Sequence, residues 1–174
     1  MASPKTAYIA IGSNIAPEVH IPSALDKLAA ACSMQALSTI YRCPALDRPE
    51  QNDYLNGVCQ VETVLHARTL KYRVLRTIEA ALGRERDEDA YAPRTIDLDV
   101  LLLGDMVIDE PGLRIPDPGI CTRPFVALPL YEIAPTLRLP DTGVSLQHLV
   151  AAMDASMLAP ETTLTETLKA RFVS

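Results

Sequence analysis

The run Thr95-Ile96-Asp97-Leu98-Asp99-Val100-Leu101-Leu102-Leu103 constrains this chain most, because it is its strongest strand signal. In an extended backbone successive side chains point to opposite faces. Ile96, Leu98, Val100 and Leu102 are then expected on a core face, with Asp97 and Asp99 projecting together from the other. Two carboxylates one strand repeat apart repel each other unless a cation, a proton or water compensates. Mg²⁺ suits that task, since it takes carboxylate oxygens and shares its remaining positions with water and phosphates. A solvated strand face, with Arg94 as ion-pair partner, is the plainer explanation of an isolated Asp-x-Asp. The flanking segments have to separate the two.

Upstream, Thr6 to Ile11 reads as a strand ending at the Gly12-Ser13-Asn14 turn. Ile21, Leu25, Leu28, Ala29 and Cys32 fall at helical spacing, with Pro22 acceptable only near the helix start. Leu37 to Cys43, closed by Pro44, and Tyr54 to Leu65 read as two more strands. A second helix is expected from Arg68 to Leu82, with Leu70, Val74, Ile78 and Leu82 four apart and Gly83 as its stop. Arg84 to Pro93 has no apolar periodicity and reads as a mobile loop. Beyond the Asp97 strand come proline-rich turns at Pro111, Pro116 and Pro118, a short helix near Phe125 to Ile133, another around Leu146 to Met153, and a weakly patterned tail.

That order predicts an α+β fold, a ferredoxin-like βαββαβ sandwich with a C-terminal helical extension. Two helices are expected on one face of an antiparallel sheet, leaving the other partly open. The 174 residues suit a single domain, with a core of about 5–153 and a tail, 154–174, given no role.

A net charge of −6 argues against a broad nucleic-acid or anionic-membrane surface. No apolar stretch is long enough to cross a bilayer. Cys32, Cys43, Cys59 and Cys121 form no close pair of the metal or redox type, so reduced thiols in the cytoplasm are expected. Arginines outnumber lysines, which suits planar recognition of phosphate oxygens.

Four segments together resemble the 6-hydroxymethyl-7,8-dihydropterin pyrophosphokinase family, between about Tyr8 and Met153. They are Tyr8-Ile9-Ala10-Ile11-Gly12-Ser13-Asn14, Tyr54-Leu55-Asn56, Pro93-Arg94-Thr95-Ile96-Asp97-Leu98-Asp99, and Arg123-Pro124-Phe125 through Glu132-Ile133-Ala134-Pro135. The resemblance implies diphosphate transfer from ATP to the pterin alcohol in folate biosynthesis, by a monomer without nucleic-acid or membrane partners. It implies that Asp97 and Asp99 hold two Mg²⁺ ions and that Arg84 and Arg94 are catalytic. Glu79, Arg86, Val100, Arg114, Ile115 and Arg123 match positions around the ATP. Tyr54 and Phe125 match a stacking pair for the pterin, Asn56 offers its ring edge both a donor and an acceptor, and Cys43, Pro44 and Leu46 match wall positions.

The sequence also departs from that family. Pro116-Asp117-Pro118 stands where Pro-His-Pro is usual, Tyr91-Ala92 where Trp-Gly is usual, and Asp87-Glu88-Asp89 makes the preceding loop acidic. Asp117 adds like charge beside a polyanion, and compensation by Arg114, with Arg123 as the other candidate, is expected. Two competing functions are weighed against transfer. A catalytically weak paralogue acting as a pterin or nucleotide sensor would explain the departures but not the retained Arg84, Arg94, Asp97 and Asp99. An RNA-binding module would show aromatics among basic residues on its recognition strand, where this chain carries two aspartates.

Overall fold

Alternation in Lys5–Ser13 puts Ala7, Ile9 and Ile11 on one face, all buried, and this strand, β1, has a partner on each side. The computed structural model describes residues 3–85 and 89–173. Its main sheet runs β5 (Asp97–Leu103), β1, β4 (Tyr54–Thr63), β3 (Tyr41–Cys43), β8 (Ala159–Pro160), and β2 (Ser33–Leu37) also pairs with β4. Every pairing in it is antiparallel. The expected strand from Leu37 to Cys43 is therefore two strands. They break at Ser38, whose N–H donates to the Val58 carbonyl while its Oγ accepts from the Val58 N–H, both at 2.9 Å.

One face of the sheet is covered by α1 (Pro17–Ala31), whose Ile21, Ala24, Leu25 and Leu28 are buried at helical spacing. Pro17 opens that helix, where a missing N–H costs nothing, but Pro22 lies inside it rather than at its start. The helix expected over Arg68–Leu82 also exists, in three parts: α2 (Ala67–Thr69), a π-helical turn (Leu70–Leu75) and α3 (Arg76–Ala81). The π turn is closed by the Arg76 N–H donating to the Lys71 carbonyl. It brings Leu70 and Leu75 into the core, five apart, and leaves Val74 and Leu82 packed only at its margin.

The opposite face is less open than expected. α4 (Gly119–Thr122), α5 (Pro124–Ile133) and α6 (Leu146–Ala151) build a second apolar cluster there with Val58, Ile120, Leu130 and Leu146. A bulge in β5 serves it: Tyr8 pairs with Leu102 and Ile9 with Val100, so Leu101 has no opposite residue. Leu101 and Leu102 both join the second cluster, and Leu103 the first. Leu102 therefore does not share the face of Ile96, Leu98 and Val100.

Two further elements replace segments without a clear pattern. β6 (Ile108–Glu110) and β7 (Leu113–Ile115) form a hairpin around Pro111-Gly112, with Gly112 at a φ of 76°. Proline then glycine is the sequence a two-residue turn with one left-handed position favours. The tail forms β8 and α7 (Thr162–Phe172), which packs against α1 and β2. It completes the backbone at Ile40, between β2 and β3. The Ile40 N–H donates to Thr165 Oγ1 at 2.9 Å, and the Ile40 carbonyl accepts from the Glu161 N–H at 2.8 Å. No helix among the described residues is long and apolar enough to cross a membrane.

Candidate functional site

β5 starts at Asp97, and its pleat directs Asp97 and Asp99 away from the core that buries Leu98 and Val100. Each carboxylate lines a different cavity. The first, about 270 Å³, is bounded by Asp97 and Arg94 and by Cys43, Pro44, Leu46, Tyr54, Asn56 and Phe125, with Gly12, Gln51, Tyr91 and Arg123 among its other walls. All six residues matched to the pterin thus meet in one place, from β3, the segment after it, β4 and α5. Asn56 is buried and donates through Nδ2 to the Cys43 sulfur at 3.0 Å, fixing the amide's orientation. A Cβ at Gly12 would stand 2.9 Å from Asn56 Oδ1, so glycine leaves that oxygen room. Burial raises the Cys43 thiol to about 11, so it faces the cavity as a neutral group.

The second cavity, about 760 Å³, is lined by Asp99, Lys71, Asp117, Arg114, Arg123 and the β6–β7 turn. Arg123 borders both cavities. Val100 and Ile115 do not line this cavity: both side chains are buried in the core, leaving their backbone groups as the contacts they can offer. Arg114 pairs with Asp109 across the hairpin at 3.0 Å rather than with Asp117, so the expected compensation is not made by Arg114. Asp117 Oδ1 instead accepts from the Gly119 N–H at 2.7 Å, tying down the start of α4.

Arg84 and Arg94 converge on Asp97. Arg84 Nη1 bridges Glu79 Oε1 and Asp97 Oδ1, and Arg94 Nη1 donates to Asp97 Oδ2 at 2.5 Å. Burial alone would push the Asp97 carboxyl up, but the two guanidinium charges and their hydrogen bonds outweigh it and hold the pKa below its ordinary value. Burial and the Asp97 charge raise Asp99, against the opposing pull of Lys71, whose Nζ lies 3.1 Å from Asp99 Oδ1. Glu79, matched to the nucleotide site, is buried, and its Oε1 also accepts from the Leu98 N–H at 2.9 Å. It anchors Arg84 to the strand that carries the aspartates. Arg86, Asp87 and Glu88 lie outside the described residues.

Several positioning residues carry no chemical signature of their own. Ser13 and Asn14 are buried: Ser13 Oγ donates to the Thr95 carbonyl at 2.6 Å, and Asn14 Oδ1 accepts from the Arg94 N–H at 2.8 Å. The Gly12-Ser13-Asn14 turn thus fixes the backbone from which Arg94 reaches Asp97. Gln51 Nε2 donates to the Tyr91 carbonyl at 2.7 Å, and Arg48 pairs with Asp89 at 2.9 Å, so two loops at the mouth of the first cavity are joined. In the sequence Ser13 and Asn14 stand only as part of a turn, with no such role assigned to them. Lys71, inside a helical pattern, carries no signal of one either.

The donor set fits Mg²⁺. Both candidate ligands are hard carboxylate oxygens, and Asp117 adds negative charge near Asp99. Among the described residues no three His, Cys, Asp or Glu side chains close around a single point. An ion that keeps waters and phosphate oxygens in its shell matches such an open pair better than one requiring a protein cage.

Residues 8–135 match the family model 7,8-dihydro-6-hydroxymethylpterin-pyrophosphokinase (HPPK). A 2-amino-4-hydroxy-6-hydroxymethyldihydropteridine pyrophosphokinase of Pseudomonas aeruginosa is 40% identical over 148 residues, covering 83% of this chain and 90% of its own. One from Synechocystis is 35% identical over 157 residues, covering 88% and 79%. The wild-type HPPK-DHPS of Plasmodium falciparum, solved with pteroate, superposes with a TM-score of 0.69 at 11% identity, over 87% of this chain. This chain spans 42% of that longer protein, and the likeness concerns the mixed helix and antiparallel-sheet fold alone. The matched region contains both cavities and the β5 carboxylates between them, and on that match the chain belongs to the 7,8-dihydro-6-hydroxymethylpterin-pyrophosphokinase family.

Proposed function

We propose that this chain transfers diphosphate from ATP to the hydroxymethyl group of 6-hydroxymethyl-7,8-dihydropterin, releasing AMP, in folate biosynthesis. The observation that carries the reading is the carboxylate pair at the seam of two cavities, one lined for a flat ring and the other lined by three cations among four carboxylates. Tyr54 and Phe125 stack on the pterin, Asn56 and backbone groups near Cys43 and Pro44 read its edge, and Leu46 closes the wall. Offset stacking of this kind is worth about 0.5–1.5 kcal/mol beyond area burial. The nucleotide takes the second cavity, with Arg114 and Arg123 at its walls and backbone groups of Val100 and Ile115 beside it.

Asp97 and Asp99 would hold Mg²⁺, two ions being expected, and the bound metal supplies neutralising charge to the phosphate oxygens. Arg84 and Arg94 leave Asp97 for the transferring group, where their fixed charge is worth more in a site emptied of water. Glu79 keeps Arg84 near the strand during that exchange. The hydroxymethyl oxygen attacks the β-phosphorus while the bond to the α-phosphate oxygen breaks, giving the pterin diphosphate and AMP.

The antiparallel order β5-β1-β4 with β2 and β3 beyond supports reading the core as a ferredoxin-like βαββαβ sandwich. We read the chain as one domain that includes the tail, acting as a cytoplasmic monomer without nucleic acid. Four free cysteines support the cytoplasmic reading, and the −6 charge supports the reading without nucleic acid. A sensor would have no need of two arginines gathered on Asp97. The test is a product assay: ATP, Mg²⁺ and the reduced hydroxymethylpterin should yield AMP and the pterin diphosphate. Release of ADP would refute diphosphate transfer, and absence of turnover across a wide ATP range would favour the sensor.

A further inference from the structure

Lys71 reaches the site through an irregularity in the helix that bears it. The π turn adds a residue between the core anchors Leu70 and Leu75. In a regular helix each residue adds about 100° of rotation, so without the extra residue Leu70 and Lys71 would both be turned from their present directions. Leu70 would leave the core, and Lys71 would leave the cavity. As it stands, Lys71 Nζ is 3.1 Å from Asp99 Oδ1 with its side chain 20% exposed, and it lines the second cavity with Asp117 and Arg123. π turns are over-represented where a helix serves a site.

Charge gives Lys71 something to do there. Asp99, Asp109, Glu110 and Asp117 all line this cavity, against Lys71, Arg114 and Arg123. Arg114 meets Asp109 in a pair whose side chains are 61% and 75% exposed, so it too can turn toward a phosphate. A polyphosphate entering such a cavity needs cations that can turn toward it, and an ammonium on a flexible stem changes partners more readily than a bidentate guanidinium. The Asp99 carboxylate is 43% exposed, so its pairing with Lys71 is screened and weak, and little is lost when it breaks.

We infer that Lys71 is a nucleotide-phosphate ligand, held on Asp99 in the free protein and released to the polyphosphate when Mg²⁺ takes the carboxylates. Lys71 thereby offsets the negative charge that Asp117 brings to the same cavity. The inference rests on the reading that this cavity takes ATP. It identifies a cation outside the residues matched by motif, delivered by the same turn that seats Leu70 and Leu75 in the core.

The experiment compares the full chain with Lys71→Met and Lys71→Arg. Calorimetry with a non-hydrolysable ATP analogue at fixed Mg²⁺ measures nucleotide binding. Pterin binding serves as control, and Mn²⁺ binding without nucleotide reports on the carboxylates. Lys71→Met should raise the nucleotide Kd roughly tenfold or more, the loss of one charge-assisted hydrogen bond. Lys71→Arg should recover most of that loss, pterin affinity should stay unchanged, and Mn²⁺ should bind the Met variant more tightly because a competitor for Asp99 is gone. A nucleotide Kd within twofold of the unaltered chain in Lys71→Met would overturn the assignment. So would parallel losses of nucleotide and pterin binding in both variants, which would mark Lys71 as a packing residue. Failure of the unaltered chain to bind nucleotide would overturn the proposed function, and this assignment with it.

Discussion

Removing Asp97 and removing Asp99 should both cripple turnover yet affect the metal-free fold unequally. On repulsion alone, losing either carboxylate would relieve strain and leave stability unchanged or slightly raised. The ion pairs change that expectation for one of them. Asp97 holds Arg84, whose side chain is 10% exposed, and Arg94, at 24%. In Asp97→Ala both lose a charged partner, Arg84 keeping Glu79. Charge-assisted hydrogen bonds contribute roughly 1.5–3 kcal/mol each, and relief of Asp97 desolvation and of Asp97–Asp99 repulsion returns part, leaving a net loss of about 2 kcal/mol. For a domain of this size that lowers Tm by about 4–8 °C. Asp99→Ala removes only the half-exposed pair with Lys71 and relieves repulsion from Asp97 and Asp117, so its change should stay within about 0.5 kcal/mol. Thermal unfolding in a metal chelator without nucleotide measures both. The sign with pH is fixed as well: the folded pKa of Asp97 is depressed, so its stabilisation is fully present above the unfolded carboxylate value of about 3.9 and is lost as pH falls through the folded value. The gap between the unaltered chain and Asp97→Ala should therefore close on strong acidification. With substrates and Mg²⁺, each variant should lose activity on the order of a thousandfold, several kcal/mol at about 1.4 per decade. Equal melting temperatures for the two variants, or a higher one for Asp97→Ala, would refute the claim that Asp97 is the anchor of the arginine pair.

Two further outcomes follow from contacts that only the folded chain makes. Thr165→Val should leave the buried Ile40 N–H without an acceptor and cost about 1–3 kcal/mol, seen as a lower Tm, whereas Thr165→Ser should restore it; an unchanged Tm in the valine variant would remove the tail's role in holding β3. Asp117→Asn keeps an oxygen for the Gly119 N–H while deleting the charge, so it should tighten binding of a non-hydrolysable ATP analogue several-fold without changing pterin affinity; equal or weaker binding would show that Asp117 is no liability to the nucleotide.

What the sequence by itself determined was everything that follows from local alternation and short-range spacing. The pleat of β5 separates Asp97 and Asp99 from Leu98 and Val100 whatever the rest of the chain does, and Ile21, Leu25 and Leu28 make a buried stripe on any helix. The residues matched to the pterin were legible only through the resemblance of Tyr54-Leu55-Asn56 and Arg123-Pro124-Phe125 to a known family, and carry no pattern of their own. Tertiary structure decided what depends on closing hydrogen bonds and filling space between distant segments. The bulge that turns Leu102 to the second cluster exists because β5 has to keep register with β1 while feeding two cores. Ile40 sits 125 residues from the threonine that satisfies its N–H, a distance over which periodicity carries no signal, so a tail without evident pattern holds the strand that ends at Cys43. Arg114 answers to Asp109 because the Pro111-Gly112 hairpin sets them opposite each other, although Asp117 is nearer in sequence. Lys71 is the clearest case, since one additional residue in a turn, invisible to a four-residue repeat, points its ammonium at Asp99.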